Sequence, residues 1–277
     1  MMLGQEFMRN ALLAGTFVAL ACGVSGWFAV LRGQMFAGDA LGHVAFPGAL
    51  AAAAAGADQR IGLLTATVAI GIALGALAYA PRVRGAGAGP ASSVSDAAIG
   101  TTFTFVLGLG VFFLARLSAS SQGGSGLRGA HTLFGSIFGL GAGEARLTAA
   151  VALCATLLVL AIARPLLFAS VAPEVAAARG VQVRLLGVAF LGLLGVIAAG
   201  ATQAVGALLL LGLLAGPAAS AHRLAAGPFT GIALAGALAV ACTWAGLALA
   251  YAIPSLPPSS AIIALAVAVH ALTRWLR

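Results

Sequence analysis

Asp39 and His43 are the residues best placed by type and spacing to do chemistry. They lie in the run Gly38-Asp39-Ala40-Leu41-Gly42-His43-Val44-Ala45-Phe46-Pro47-Gly48, which is otherwise apolar. On a helix, residues i and i+4 share one face, with Cβ atoms about 6 Å apart. A carboxylate and an imidazole so placed can bind Zn(II), Mn(II) or Fe(II). Charged groups at bilayer depth are costly, about 2.5–3.5 kcal/mol by insertion scales, and so tend to be functional. The alternative is that Asp39 caps a helix at the membrane edge and His43 is a packed ring. Two ligands are too few for tight binding, but a symmetric dimer could bring two such pairs together.

The other polar residues carry weaker signals. Asp96, in Ser92-Ser93-Val94-Ser95-Asp96-Ala97-Ala98-Ile99-Gly100, opens an apolar run and reads as a structural cap near the path. His131 and His270 are isolated and read as interfacial or packed; His222, beside Arg223, reads as a headgroup-level residue. Gly123-Gly124-Ser125-Gly126 matches a serine-nucleophile pattern. It lies in a polar Ser/Gly loop, which does not hold a nucleophile rigidly against a base. Cys22, Cys154 and Cys242 form no Cys-x-x-Cys pair and read as small core residues.

Membrane-length helices must position these groups. The 277-residue chain is 62% hydrophobic and only 7% charged, with a mean hydropathy of +1.11. A soluble domain carries about 25% charged residues. The reading is therefore an all-α polytopic membrane protein, a single transmembrane domain over residues 1–277. A span needs about 20 apolar residues. Nine runs qualify: 10–31, 38–57, 61–80, 94–116, 146–169, 184–200, 203–221, 229–252 and 258–275, for a count of eight or nine spans. Ala201 and Thr202 separate the sixth and seventh. Gly71 and Gly75, with Gly108 and Gly110, suit close packing of helix backbones, and Pro217 suits a kink in the seventh run.

All 14 basic residues are Arg, against 6 acids, for a net charge of +8. Scattered singly, they suit topology signals and lipid headgroups; no cluster suggests nucleic acid. Arg bias puts Arg32, Arg82, Arg84, Arg164, Arg179, Arg184, Arg223, Arg274 and Arg277 inside, and Arg9, Arg60, Arg116, Arg128 and Arg146 outside. The C-terminus then faces the cytoplasm and, with nine spans, the N-terminus lies outside. Without Lys, the P-loop ending in Gly-Lys-Ser/Thr cannot occur, so if the protein works with ATP, another chain binds it. Residues 81–93 read as a flexible inner loop and 117–130 as an outer loop. Residues 131–139 read as a half-helix too short to span. In 171–184, Pro173 suits a helix start, Glu174 its positive end and Gly180 its stop. That short cytoplasmic helix is either a plain connection or a docking element.

Taken together, these segments resemble the permease subunit of the zinc/manganese/iron-uptake ABC importers, the ZnuB-like family. The run from Leu31-Arg32 to Gly48 resembles that family's Gly-Asp-Ala-Leu-Ser-His…Pro-Gly segment, with Gly42 in place of Ser. Ser95 to Gly100 and Leu133 to Ile137 resemble two further elements. Pro173-Glu174 to Gly180-Val181 resembles its cytoplasmic Asp-Pro-Glu…Leu-Gly-Val element, with Ala172 in place of Asp and Arg179 in place of Leu. Val205 to Leu209 and Gly216 to Ala219 resemble its penultimate core span. The resemblance implies a type II-like ABC importer permease in the bacterial inner (plasma) membrane. It implies a second permease copy, a cytoplasmic ABC ATPase dimer docked around Pro173, Glu174, Arg179 and Gly180, and an extracytoplasmic metal-binding protein. Asp39 and His43 match its metal-coordinating pair; manganese, zinc or iron would be the cargo, and the chain would be a transport subunit, not an enzyme. The competing readings are a stand-alone secondary transporter or channel for cations or small solutes, and an intramembrane enzyme. Arg bias puts Asp39 near the inner end of its span. A bend or break near Gly42, Pro47 and Gly48 would let it sit deeper.

Overall fold

The computed structural model describes residues 5–78, 96–119, 137–204, 206–207, 210–253 and 255–275. The loop 81–93, Gly123 to Gly126, His131 and Leu133 to Ser136 lie outside these residues. Among the described residues there are eleven α-helices and no strand. They are α1 (Glu6–Leu31), α2 (Met35–Ala54), α3 (Gln59–Ala78), α4 (Asp96–Ala119), α5 (Ala142–Ala161) and α6 (Ala163–Val171). There follow α7 (Pro173–Ala178), α8 (Val183–Ala204), α9 (Leu210–Leu224), α10 (Pro228–Ala252) and α11 (Pro258–Trp275), and a 3-10 turn, Ile137–Gly139, precedes α5.

By length and composition, six helices can cross a membrane: α1, α3, most of α4, α5, α8 and α10. The other three expected runs are also helical. However, α2 carries Asp39 and His43, α9 has only 15 residues, and α11 has 18. Several features differ from the sequence expectation. The run 146–169 divides at Ile162 into α5 and α6, because Pro165 has no N–H for the Ala161 carbonyl and its ring crowds that oxygen. Helix α8 continues through Ala201 and Thr202; the chain leaves the helix only after Ala204, before Gly206 with φ +102°. Helix α2 is unbroken across Gly42, Pro47 and Gly48.

Helices α1 and α8 form the interior. The former packs on α5, α8, α9 and α10, the latter on α2, α3 and α5. Helix α4 leans mainly on α2 and exposes Phe105, Val111 and Phe112, the side chains a lipid-facing surface requires. Buried hydroxyls return to their own helices, as Ser25, Thr67, Thr156 and Thr243 donate to the carbonyls of Ala21, Leu63, Ala152 and Ala239. This satisfies groups that lipid cannot. Where two helices cross closely, glycine is required. A Cβ on Gly62 would lie 2.3 Å from the Ala52 Cβ, and one on Gly71 2.4 Å from the Leu191 carbonyl. Gly75 and Gly110 also serve such contacts, whereas Gly108 faces open space.

Contacts at the helix ends sort the bundle into two poles. Asn10 donates to the Leu140 carbonyl and Arg60 pairs with Glu144 at one pole. At the other, Arg32 reaches Ser170, His222 reaches the Trp27 carbonyl, and Ser220 meets Thr273. Arg60, of the group the sequence reading puts outside, and Arg32, of the group it puts inside, therefore lie at opposite poles. His222 is a packed residue, with its ring stacked on Trp27 at 4.6 Å. Cys22 and Cys242 are buried, but Cys154 is exposed, on a face of α5 that also exposes Leu157 and Leu158. Such a face suits lipid.

Candidate metal centre

Helix α2 begins at Met35, earlier than the apolar run suggested, and the residue preceding it is Gln34. Asp39 is therefore already one turn inside the helix, about 6 Å along the axis from Met35, and is not its N-cap. This removes the capping explanation for its carboxylate. The helix is clamped on several sides. Gly38 and Gly42 face α9, where added Cβ atoms would lie 2.7 Å from Leu214 Cδ2 and 2.8 Å from Leu210 Cδ2. The Thr202 hydroxyl of α8 donates to the Gly42 carbonyl at 3.4 Å. Farther along, Gly48 packs on Gly62 of α3, and Pro47 fills the notch at Gly110 of α4.

One residue on from each of those glycines, about 100° around the helix, stand Asp39 and His43. Asp39 Oδ1 and His43 Nε2 are 4.0 Å apart, with the side chains 30% and 18% exposed. That separation exceeds hydrogen-bond length, so each group keeps lone pairs for another partner. The edge of Phe103 on α4 meets the His43 ring, centroids 5.3 Å apart at 75°, and limits its rotation. Beside the pair, a cavity of about 340 Å³ opens between α2 and α4, lined by Phe36, Asp39, Ala40, Ile99, Gly100 and Phe103. Among the described residues its walls are apolar apart from the Asp39 carboxylate, so a cation entering it meets a negative oxygen donor with an imidazole next to it. Among the described residues, no three His, Cys, Asp or Glu side chains gather into a metal-binding group. The pair can hold an ion only with water or with ligands from elsewhere.

Two segments distant in sequence thus meet here, since Ile99 and Gly100 end the element Ser95 to Gly100. Asp96 opens α4, but its side chain lies outside the described residues. Phe36 and Phe103 were not foreseen. Aromatic residues are ordinary in apolar runs, and no spacing marked these two.

The expected docking residues lie in and just after the short helix α7, immediately before α8. Pro173 occupies the first turn of α7 and Glu174 follows it. The helix is closed by Gly180, with φ +82°, and by two capping bonds: Gly180 N–H to the Ala177 carbonyl and Val181 N–H to the Ala176 carbonyl. This paired pattern is the glycine stop that satisfies the last carbonyls of a helix. Ala176 is buried and anchors α7, while Glu174, Val175 and Arg179 are exposed. Val171 and Leu185 add exposed apolar surface beside them.

A sequence profile of the ABC 3 transport family matches residues 4–276. The chain belongs to that family. The manganese transport system membrane protein MntC of Halalkalibacterium halodurans is 28% identical over 223 residues, 80% of this chain and 71% of the relative. The manganese import system permease protein ScaB of Streptococcus gordonii is 28% identical over 258 residues, 93% of this chain and 87% of the relative. A probable iron transport system membrane protein of Haemophilus influenzae is 25% identical over 219 residues, 79% and 75% of the two chains. Among solved structures, PsaBC from Streptococcus pneumoniae in complex with Fab superposes with a TM-score of 0.79 at 26% identity. It covers 98% of this chain and 92% of that one. This ABC 3 chain is thus an all-α, multi-pass membrane protein of the metal-uptake ABC permease type, a plasma-membrane component.

Proposed function

We propose that this chain is the membrane-spanning subunit of an ATP-driven importer for a divalent transition metal ion of the manganese, zinc and iron class. The observation that carries the reading is the Asp39–His43 pair, one helical turn apart and beside an α2–α4 cavity. A passing ion exchanges part of its hydration for one carboxylate oxygen and one imidazole nitrogen, and binding by so few ligands leaves release possible. Two copies of the permease, related by a two-fold axis, supply four such ligands. The single transmembrane domain over residues 1–277 rocks between outward and inward access. ATP is hydrolysed on a separate ATPase dimer, because a chain without Lys has no P-loop. That dimer docks on the exposed face of α7, around Pro173, Glu174, Arg179 and Gly180. An extracytoplasmic binding protein delivers the metal at the opposite pole. Manganese is favoured as cargo by the names of the relatives, and iron by one of them.

The test is uptake of radiolabelled manganese(II), zinc(II) and iron(II) by cells depleted of their own transporters and expressing this permease with its ATPase and binding protein. Asp39→Ala and His43→Ala should each abolish uptake while the protein still reaches the membrane. Wild-type uptake by both variants would remove the ligand assignment. Uptake that persists without any ATPase would favour a stand-alone transporter.

A further inference from the structure

Arg32 sits where the helix of the metal pair meets the docking segment. It lies in the turn between α1 and α2, and it points inward: Arg32 is 4% exposed and Gln34 1%. A cation serving only to set topology would reach for headgroups, and burying it is costly. Its Nε donates to Gln34 Oε1 at 3.1 Å. Gln34 is the residue that precedes α2, and its carbonyl accepts the Gly38 N–H at 3.2 Å. Arg32 Nη1 donates to Ser170 Oγ at 3.0 Å. The Ser170 hydroxyl gives its own proton to the Leu166 carbonyl at 2.6 Å, which leaves its lone pairs turned to the guanidinium. Finally, the guanidinium carbon lies 5.8 Å from the centre of the Phe190 ring. Ser170 is at the end of α6 and Phe190 is in α8, so Arg32 touches the elements on both sides of α7.

We infer that Arg32 is a positioning residue that transmits displacement of α7 to the metal site, through Ser170 and Phe190 on one side and Gln34 with the first turn of α2 on the other. This rests on the permease reading above. A guanidinium is a rigid planar fork whose donors diverge at fixed angles. If α6 and α8 shift under a docked ATPase, the fork shifts or turns with them, and Gln34 must follow or lose its bond. Asp39 lies one turn beyond the helix start that Gln34 sets, so the carboxylate moves relative to the α4 wall.

The experiment uses the permease assembled with its ATPase and binding protein in proteoliposomes, with manganese(II) as the probe. Metal imported and ATP hydrolysed are measured on the same samples. In Ser170→Ala and in Arg32→Lys, ATP hydrolysis should stay within about twofold of wild type while metal moved per ATP falls at least about fivefold. Ser170→Thr, which keeps the hydroxyl, should restore the wild-type ratio. The double variant should be no worse than either single, as expected for two ends of one contact. If Arg32→Lys does not assemble, the Ser170 pair decides alone. The inference is overturned if Ser170→Ala keeps the wild-type ratio, lowers transport and hydrolysis in parallel, or fails to assemble. A wild-type assembly that moves no manganese, zinc or iron would instead overturn the permease reading.

Discussion

At the residue scale, the site is two side chains held by one-sided constraints. Gly38 and Gly42 press against α9, so the neighbouring positions 39 and 43 turn towards α4. Phe103 then fixes the His43 ring from its edge. Aromatic contacts of this kind contribute about 0.5–1.5 kcal/mol. Phe103→Ala should therefore leave the protein in the membrane yet raise the metal concentration for half-maximal uptake by several-fold, read from uptake against manganese(II) concentration. Gly180 makes a separate prediction. At φ +82° a Cβ costs about 1–2 kcal/mol. Gly180→Ala should loosen the end of α7, and hydrogen exchange at the Val181 amide, which now bonds the Ala176 carbonyl, should quicken by about tenfold.

At the scale of elements, lipid offers helices no hydrophobic reason to associate, so close approach of backbones has to do that work. The α2–α3 crossing shows it. A Cβ at Gly62 would meet both Ala52 and the Gly48 carbonyl, the latter at 2.5 Å, whereas nothing lies within 4 Å of one at Gly108. Gly62→Ala should destabilise the protein by about 1–3 kcal/mol and lower its melting temperature in detergent. Gly108→Ala should change it by no more than about 0.5 kcal/mol. Because α2 carries the pair proposed to bind metal, the first substitution should also reduce uptake and the second should not. The abundance of glycine in the sequence suggested this packing. The two variants separate its uses, since glycine content alone does not say which glycine is pressed against a neighbour.

At the scale of the whole molecule, the alternation of helix ends gives the bundle two poles, one holding Arg60 with Glu144 and the other Arg32 with Ser170. The excess of Arg predicts that the second pole faces the cytoplasm. In a variant with the exposed Cys154 replaced by Ser, single cysteines at Arg60 and at Arg274 should react with a membrane-impermeant maleimide from opposite sides. Labelling of position 60 only from outside and of position 274 only after permeabilisation is the expected pattern.

The sequence by itself determined the membrane class, nearly every apolar helix, the Asp39–His43 spacing, the short helix that Pro173 opens and Gly180 stops, and the lack of a Lys-containing P-loop. These depend on local quantities: how long a run stays apolar, which residues share a face within one turn, where proline and glycine interrupt a helix, and which residue types are missing. Only the tertiary structure decided that Asp39 lies inside α2 and not at its cap, that α4 walls the site with Ile99, Gly100 and Phe103, and that Arg32 turns inward to Ser170 and Phe190. In a chain that is apolar almost throughout, helix faces differ little in polarity, so their periodicity does not say which face meets which partner. That choice is made by shape, where a missing Cβ or a fitted ring lets two helices close, and shape exists only once the helices are packed.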